Sequence, residues 1–487
     1  MPHHNLFAPD GYWLMEQGKN FMQEGKAEVC EYSENLEKEC SIVRSTGYSA
    51  ILSVPFITFG INNFVALYFS SIISGFLVIP LFFFVYLLLK NEKIALFSSL
   101  IIIFDKLNLV LSSYVENINP AIIIILCSGI FFFLYFKNKD LWSHLLGMFL
   151  FLMSIFIRIE YLLAGIIIFY MYLIKSRNDF NKNHFIMPVT IGVLIIIIYL
   201  VQVPVISSIG YNSDFGLVNL SENIKILFDN IEYYFGFVLS TLLVLGIFHA
   251  YNKYRKEFYI IFSSMIIFAL FYFTWTQANI ERLMMLIFVH LIIFMGVGLQ
   301  YLFIQTKKMK QRKVFNTIIL TLIIIILLSN VNIISDRISS SASTLANTEV
   351  IELVEEKVPE NCFVIVERPV FITATTNIKA IPTSRIYKNS RSINRIINKT
   401  NCLLFFENDL CYEDIDAGPG RNVYQRNSTG RCTEIKNDYE LEEIFTFSPD
   451  YQKRVYRLYN LSIKRNLINM NLNQTKNETE NSSLYLS

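Results

Sequence analysis

The sequence carries little net charge and few residues arranged for binding nucleic acids or metals. Its 42 Lys and Arg residues nearly balance its 40 Asp and Glu residues, so the formal net charge at pH 7 is only +2. This balance argues against a nucleic-acid binder, and we predict no nucleic-acid partner. The six His residues show no metal-ligand spacing, because four are isolated in the chain and two lie together at residues 3 and 4.

Internal repeats are also missing, and few charges interrupt the apolar runs. Secondary transporters are typically built from repeats with paired broken helices at the bilayer midplane. The pattern therefore counts against a membrane transporter or flippase, which stays open as an alternative. What the sequence has in abundance is hydrophobic residues, which make up 53% of its 487 positions.

Ten apolar stretches dominate the chain, and most could cross a hydrocarbon core of about 30 Å at roughly 1.5 Å per residue. They cover residues 63–89, 94–113, 118–136, 141–157, 160–174, 185–203, 234–251, 258–275, 283–304 and 315–335. The predicted fold class is therefore an α-helical polytopic membrane protein with about ten transmembrane helices, followed by a C-terminal extracytoplasmic α/β domain.

Lys and Arg are distributed unevenly between alternate loops, and this predicts the orientation. The loops that contain Lys90, Lys137, Lys175, Lys253 and Lys310 carry fifteen Lys and Arg residues, whereas the alternate loops carry only four. Because cytoplasmic loops are enriched in Lys and Arg, the first set is predicted to be cytoplasmic. Residues 1–62, the loop around 204–233 and the chain after about 336 would then be extracytoplasmic.

Composition divides the chain into four predicted parts. Residues 1–62 form an extracytoplasmic loop whose apolar piece at 47–60 is too short to span and is expected to be an interfacial helix. Residues 63–336 form the transmembrane domain. Residues 337–465 form an extracytoplasmic α/β domain, with helices at 348–357 and 392–398 and strands at 362–367, 402–407 and 454–462. Residues 466–487 are polar and Asn-rich, and we expect them to be disordered.

Cysteine usage fits an oxidising compartment. Cys127 lies alone in a predicted span, and the other six cysteines fall on the predicted extracytoplasmic side. An even number there favours disulfides over free thiols, although free thiols remain an alternative. We predict a disulfide between Cys30 and Cys40, which closes a short ring, and leave the other pairings open.

The N-terminal segment poses a problem of translocation. Residues 1–48 are polar and acidic, and no signal peptide precedes them. Either this segment is translocated from its N-terminal end, or the natural protein has an additional transmembrane helix before Met1, and we expect the second.

Several motifs resemble those of a known family. The run Pro9-Asp10-Gly11-Tyr12-Trp13-Leu14-Met15 resembles the first extracytoplasmic loop of the GT-C superfamily of polytopic membrane glycosyltransferases, such as protein O-mannosyltransferases and lipid A aminoarabinose transferases. Further resembling elements follow in the family's order, namely Gly47-Tyr48-Ser49, Arg158-Ile159-Glu160-Tyr161 and Glu281-Arg282-Leu283. The resemblance covers most of the chain, and it rests on the order of the motifs, since each one alone is weak.

The chain also departs from the family pattern. Gly11 follows Asp10 where the family commonly has an Asp-Glu pair, and Ser49 replaces a Pro. No Trp-Trp-Asp motif occurs, so the resemblance does not point to the oligosaccharyltransferase branch.

The resemblance implies a glycosyltransferase that moves a sugar from a polyprenyl-phosphate donor to an extracytoplasmic acceptor, with inversion at the anomeric carbon. The acceptor could be a protein, a lipid or a glycan. Asp10 is the candidate general base, and its alternative role is that of a turn-forming or helix-capping residue. A membrane-anchored sensor or scaffold that uses the C-terminal domain is a further alternative.

The remaining candidate residues would bind the substrate. Arg158 and Arg282 are candidate ligands of the donor phosphate, or are snorkelling residues at helix ends. Glu116 and Tyr12 are further substrate-binding candidates. Asp105 and Lys106 are expected to line a cavity or, more in keeping with their position, to mark the membrane interface. Tyr272 and Trp275 are expected in an interfacial aromatic belt, with a sugar-binding platform as the alternative. We predict no metal ligands, and the need for a divalent metal is left open.

Overall fold

The computed structural model describes residues 9–42, 46–168, 218–274, 284–307, 347–386, 390–400, 402–408, 422–448 and 455–463, together with isolated residues between these ranges. The chain divides into two compact units. We call the described residues within Phe7–Ala27 and Ile42–Ser339 the helical unit, and those within Glu28–Ser41 and Ser340–Ser487 the sheet unit.

The helical unit consists of helices of very different length. They are α1 (Pro9–Glu24), α2 (Thr46–Phe59), α3 (Asn63–Phe76), α4 (Val78–Leu89), α5 (Glu92–Ile103), α6 (Lys106–Ser112), α7 (Ile118–Asn138), α8 (Leu141–Ile157), α9 (Val218–Lys253), α10 (Arg255–Phe273) and α11 (Met285–Thr306). A 3₁₀ turn, Ile159–Leu163, follows α8. The backbone of Gly236 is not helical and breaks α9 into two helices. Its φ of 62° lies in a region that residues other than glycine rarely adopt.

Among the described residues, five helical segments are long and apolar enough to cross a membrane. They are Asn63–Leu89, Ile118–Asn138, Phe235–Lys253, Arg255–Phe273 and Met285–Thr306, and they match five of the predicted spans. The stretch predicted at 94–113 is instead two helices, α5 and α6, bent by 56°. The stretches at 141–157 and 160–174 appear as the shorter apolar helices Leu141–Ile157 and Ile159–Ile168.

The count of about ten spans stays a prediction. Residues 185–203 and most of 315–335 lie outside the described residues. What the structure shows is a mostly helical chain with several apolar helices and a C-terminal sheet.

Glycines set the closest helix contacts of the helical unit. A Cβ atom on Gly246 of α9 would lie 1.8 Å from the carbonyl oxygen of Phe294, and one on Gly298 of α11 would lie 2.0 Å from that of Leu242. Such backbone contact between helices requires small residues at the crossing. A Cβ on Gly296 would lie 2.2 Å from a side-chain atom of α5, so α11 is packed closely on two sides.

The sheet unit is built on a five-stranded sheet of order β4-β3-β5-β7-β6. Its strands are β3 (Phe363–Val366), β4 (Lys379–Pro382), β5 (Leu403–Glu407), β6 (Tyr439–Phe447) and β7 (Tyr456–Ile463). Strands β3, β4 and β5 are parallel, and β7 and β6 add antiparallel strands at one side. Helices α12 (347–357), α13 (Val370–Thr373), α14 (Thr383–Ile386), α15 (Ser390–Thr400) and α16 (Asn422–Asp438) complete the unit.

Sequence patterns found part of this unit. The predicted strands at 362–367, 402–407 and 454–462 correspond to β3, β5 and β7, and the predicted helices correspond to α12 and α15. Strands β4 and β6 and helices α13, α14 and α16 were not predicted. Strand β6 was missed because it lies at an edge with mostly exposed residues, so it lacks an apolar run.

A hairpin from the N-terminal region belongs to the sheet unit. Its strands are β1 (Val29–Tyr32) and β2 (Lys38–Ser41), and the predicted disulfide between Cys30 and Cys40 joins them. The ring of Tyr32 packs edge-on against that of Phe363, with centroids 5.2 Å apart. Arg385 forms ion pairs with two Glu side chains of the hairpin, and Ser392 donates a hydrogen bond of 2.9 Å to a third.

Two further disulfides lie in the sheet unit. One joins Cys362 to Cys402, and the other joins Cys411 to Cys432. Cys127 of α7 is a free thiol, as expected.

Candidate functional site

The run predicted to contain the general base folds as helix α1. Asp10 is its second residue, and its role as a base stays a prediction. The helix buries polar as well as apolar side chains, since Tyr12, Glu16 and Lys19 are all less than 8% exposed. Gly18 allows α2 to approach, because a Cβ there would lie 3.3 to 3.5 Å from atoms of three α2 residues.

The Gly47-Tyr48 element ties α2 to the end of α8. A Cβ on Gly47 would lie 2.7 to 2.8 Å from backbone atoms of Phe156 and Ile157, so only glycine fits without a shift. The buried Tyr48 hydroxyl shares a hydrogen bond of 2.6 Å with the Ser70 hydroxyl of α3. Through these contacts the first helices are fixed against the segment that leads into Arg158.

Arg158 lies in a network of directed hydrogen bonds. Its Nε donates to Oε1 of Glu160 at 2.9 Å, and its Nη2 forms an ion pair with the same oxygen. Its Nη1 donates to Oδ1 of Asn117 at 2.8 Å. Only 12% of the Arg158 side chain and 7% of the Glu160 side chain are exposed. A snorkelling arginine would extend its guanidinium into water. The buried, hydrogen-bonded guanidinium of Arg158 therefore fits a binding site better than it fits the snorkelling alternative.

Polar residues continue from Arg158 along the start of α7. Asn117 also donates from Nδ2 to the backbone carbonyl of Ile157 at 3.3 Å. Glu116 is only 5% exposed and is close enough to Tyr48 for an electrostatic interaction. The structure therefore places the predicted residues Glu116 and Arg158 in one neighbourhood, with Asn117 between them.

Asp105, which was expected to line a cavity or to mark the membrane interface, is a buried helix cap. It is 3% exposed, and its Oδ2 accepts a hydrogen bond of 2.9 Å from the backbone N–H of Asn108. It therefore caps the N-terminus of α6, which explains why the chain bends there. Asn108 in turn accepts a hydrogen bond of 3.1 Å from Nδ2 of Asn119.

Two buried tyrosines lie beside Arg158. Tyr161 and Tyr272 are each 1% exposed, and both interact electrostatically with the guanidinium. Tyr272 was expected in an interfacial aromatic belt, but its ring is buried inside the helical unit, where α10 packs against the 3₁₀ turn through Phe268 and Tyr161. Trp275 lies outside the described residues.

The other predicted residues are distributed as follows. Tyr12 lies on α1, which packs against α2. Arg282 lies outside the described residues, so its role as a phosphate ligand stays a prediction. Sequence reasoning missed Asn108, Asn117 and Asn119. A signal for Asn117 and Asn119 was present, because Glu116-Asn117-Ile118-Asn119 is a cluster of polar residues immediately before an apolar run, although it does not show which residues they contact.

Within the described ranges, one group of three His, Cys, Asp or Glu side chains is close enough to hold a metal ion. It consists of Glu28, Cys30 and Cys40. Because the disulfide uses both sulfur atoms, this group is not a metal site.

Solved structures with a similar fold cover nearly the whole chain. ArnT from Cupriavidus metallidurans bound to undecaprenyl phosphate aligns over 93% of both chains, with a TM-score of 0.58 and 10% sequence identity. ArnT is the lipid A aminoarabinose transferase. The chain has the GT-C fold. The resemblance inferred from the motifs is thus confirmed for the fold.

A second GT-C protein shares this fold. AglB, the oligosaccharyltransferase of Archaeoglobus fulgidus, in complex with an inhibitory peptide and dolichol-phosphate, aligns over 94% of this chain and 70% of its own, with a TM-score of 0.54 and 12% identity. The GT-C fold is therefore shared even though this chain lacks the Trp-Trp-Asp motif. No protein-family model matches the sequence, and no curated protein matches it either.

Proposed function

We propose that the protein is a membrane glycosyltransferase that moves a sugar from a polyprenyl-phosphate carrier to an extracytoplasmic acceptor. The observation that carries the proposal is the buried, hydrogen-bonded polar cluster around Arg158, Glu116 and Asn117 in the helical unit. Ionisable groups inside a membrane domain are costly, and they are retained mainly where they serve a function. The cluster lies in a GT-C fold, and the two similar structures were solved with undecaprenyl phosphate and with dolichol-phosphate.

Arg158 is suited to bind the phosphate of the donor. A guanidinium has five N–H groups. Three of them are used by Glu160 and Asn117 among the described residues, which leaves two for phosphate oxygens. Planar guanidinium groups bind phosphate through paired hydrogen bonds. Arg282 is proposed as a second cation for the departing phosphate.

Asp10 is proposed as the general base. Its carboxylate accepts the proton of the acceptor hydroxyl, the oxygen attacks the anomeric carbon, and the bond from that carbon to the phosphate oxygen breaks. The polyprenyl phosphate leaves with the electron pair, and the configuration inverts. Glu116 and Tyr12 are proposed to bind hydroxyl groups of the substrates.

The sheet unit is proposed to lie on the extracytoplasmic side. All three disulfides fall within it, and disulfides persist in oxidising compartments. The uneven distribution of Lys and Arg between the loops independently favours this orientation.

One observation favours the alternative of a transporter or flippase. Helices α5 and α6 are bent by 56°, and transporters use broken helices at their binding sites. A flippase would bind the same lipid phosphate and move it without breaking the bond to the sugar.

A transfer assay separates the two functions. Purified protein in nanodiscs is incubated with labelled undecaprenyl- or dolichyl-phosphate sugars and with extracytoplasmic protein, lipid and glycan acceptors. We expect label in an acceptor and release of the free polyprenyl phosphate. A second measurement reconstitutes the protein in vesicles and follows the intact donor across the membrane. Movement of the donor there, with no transfer of sugar in the first assay, would support a flippase.

A further inference from the structure

Asn117 contacts the Arg158 segment at two points. Its Oδ1 accepts from the Nη1 of Arg158 at 2.8 Å, and its Nδ2 donates to the carbonyl of the preceding residue, Ile157, at 3.3 Å. Both ends of the amide are therefore used, and they fix the guanidinium relative to its own backbone. Asn117 is 8% exposed, so little water competes for these bonds.

Glu160 fixes a different edge of the guanidinium. Its Oε1 accepts hydrogen bonds from both Nε and Nη2 of Arg158. Glu160 belongs to the 3₁₀ turn that begins directly after Arg158. With one edge held by Glu160 and Nη1 held by Asn117, rotation about the last bonds of the arginine side chain is restricted from both sides.

We propose that Asn117 and Glu160 are positioning residues that hold Arg158 in the orientation that binds the phosphate of the lipid donor. This inference rests on the proposed function, since it requires Arg158 to bind that phosphate. Neither residue needs to touch the donor. A site held by such supporting hydrogen bonds loses little freedom when the ligand binds.

Binding of undecaprenyl phosphate to the full-length protein in detergent tests the inference, with undecaprenol as the matched ligand that lacks the phosphate. We expect Asn117→Leu and Glu160→Gln to weaken binding of undecaprenyl phosphate by roughly 10-fold, as supporting residues do at metal sites. Binding of undecaprenol should stay within about 2-fold, because positioning concerns the phosphate alone.

A conservative variant and a control variant sharpen the test. Asn117→Gln keeps an amide with both a donor and an acceptor, and it should restore part of the affinity lost in Asn117→Leu. Ser264→Ala removes a buried hydrogen bond of 2.8 Å to His290 between α10 and α11. It should lower the thermal midpoint without changing the affinity for undecaprenyl phosphate.

Three results would overturn the inference. The first is an unchanged affinity for undecaprenyl phosphate in both positioning variants, and the second is an equal loss of affinity for undecaprenyl phosphate and undecaprenol. The third is tighter binding of undecaprenyl phosphate by Glu160→Gln, because Glu160 would then compete with the donor for Arg158. If Arg158→Ala weakens binding while Asn117→Leu and Glu160→Gln do not, the positioning role alone fails. If the wild-type protein binds neither undecaprenyl phosphate nor dolichyl phosphate, the proposed function fails with it.

Discussion

The helical unit and the sheet unit are stabilised by different interactions. In the helical unit the closest contacts are between backbones, at Gly246 and Gly298, and polar side chains gather in the cluster around Arg158. The sheet unit holds three disulfides and several ion pairs. In a membrane the hydrophobic effect does not drive helices together, so close packing must do so. The sheet unit instead buries an apolar core that includes Ile365 and Phe405, and disulfides add cross-links to that core.

Two buried glutamates form ion pairs within the sheet unit. Strands β3 and β5 pair in register with Val366 opposite Phe406, so Glu367 and Glu407 follow at neighbouring strand ends. Each side chain is only 1% exposed. Each is paired with a cation from α16, Glu367 with Arg431 and Glu407 with Lys436, so these ion pairs hold α16 to the sheet.

The largest effect is expected from closing the glycine contact in the helical unit. Gly298→Ala places a Cβ 2.0 Å from a carbonyl oxygen of α9, so helices α9 and α11 must separate. We expect a loss of about 3 kcal/mol or more, measured as a lower thermal midpoint and yield in detergent. Gly75→Ala is the matched control, because nothing lies within 4 Å of its Cβ. Equal behaviour of the two variants would refute the role of backbone packing.

The next effect concerns the buried ion pairs of the sheet unit. Arg431→Met leaves Glu367 buried without its cation and should destabilise the unit by roughly 3–5 kcal/mol. Hydrogen exchange of β3 and β5 in the full-length protein measures this loss. Lys357→Met is the control, because it breaks an exposed pair with Glu356 that should contribute about 0–1 kcal/mol. Similar exchange in both variants would contradict the account of the sheet unit.

A smaller effect is expected from the hairpin disulfide. Replacing Cys30 and Cys40 together by Ser removes a short cross-link that should contribute roughly 2–3 kcal/mol. Faster hydrogen exchange should be confined to residues 28–41 and their contacts on the sheet. Cys127→Ser, which removes a free thiol, is the control and should leave that exchange unchanged. If the hairpin exchanges as slowly without its disulfide as with it, its contacts with the sheet alone hold it in place.

The smallest effect is expected at Tyr439. Burial, and secondarily the neighbouring Asp438, raises the pKa of Tyr439 to about 12. Its hydroxyl has no hydrogen-bond partner among the described residues. Because the folded state holds this proton above the pH at which the unfolded state loses it, stability falls between about pH 10 and 12.

Tyr439→Phe removes both the buried hydroxyl and its titration. We expect a change in stability between zero and a gain of about 1 kcal/mol at pH 7, with a shallower loss between about pH 10 and 12. Thermal midpoints of the two proteins across that pH range provide the measurement. A clear destabilisation at pH 7 would show that the hydroxyl has a partner.

The sequence predicted features that depend on local pattern. Long apolar runs found the spans at 63–89 and 118–136, and close spacing found the disulfide of Cys30 with Cys40. The packing of Tyr32 against Phe363 joins residues more than 300 positions apart, so no local pattern marks it.

At the candidate site, the sequence indicated the charged residues but not the residues that form hydrogen bonds with them. Arg158 and Glu116 stood out because charges are rare among apolar runs. Asn117 did not, since its role depends on two hydrogen bonds across the fold to the segment around Arg158. The bend at Asp105 was missed for a similar reason, because an apolar run on both sides conceals a helix cap.

Turnover of the donor by Asp10→Asn tests the proposed transfer most directly. Asn keeps the shape of the side chain but cannot accept the proton of the acceptor hydroxyl. Release of polyprenyl phosphate is measured in a single turnover, at donor concentrations that give equal occupancy of the wild-type protein and the variant. We expect donor affinity to stay near that of the wild type while the rate falls by about 100-fold or more. A rate within about threefold of the wild type would contradict the assignment of Asp10 as the base.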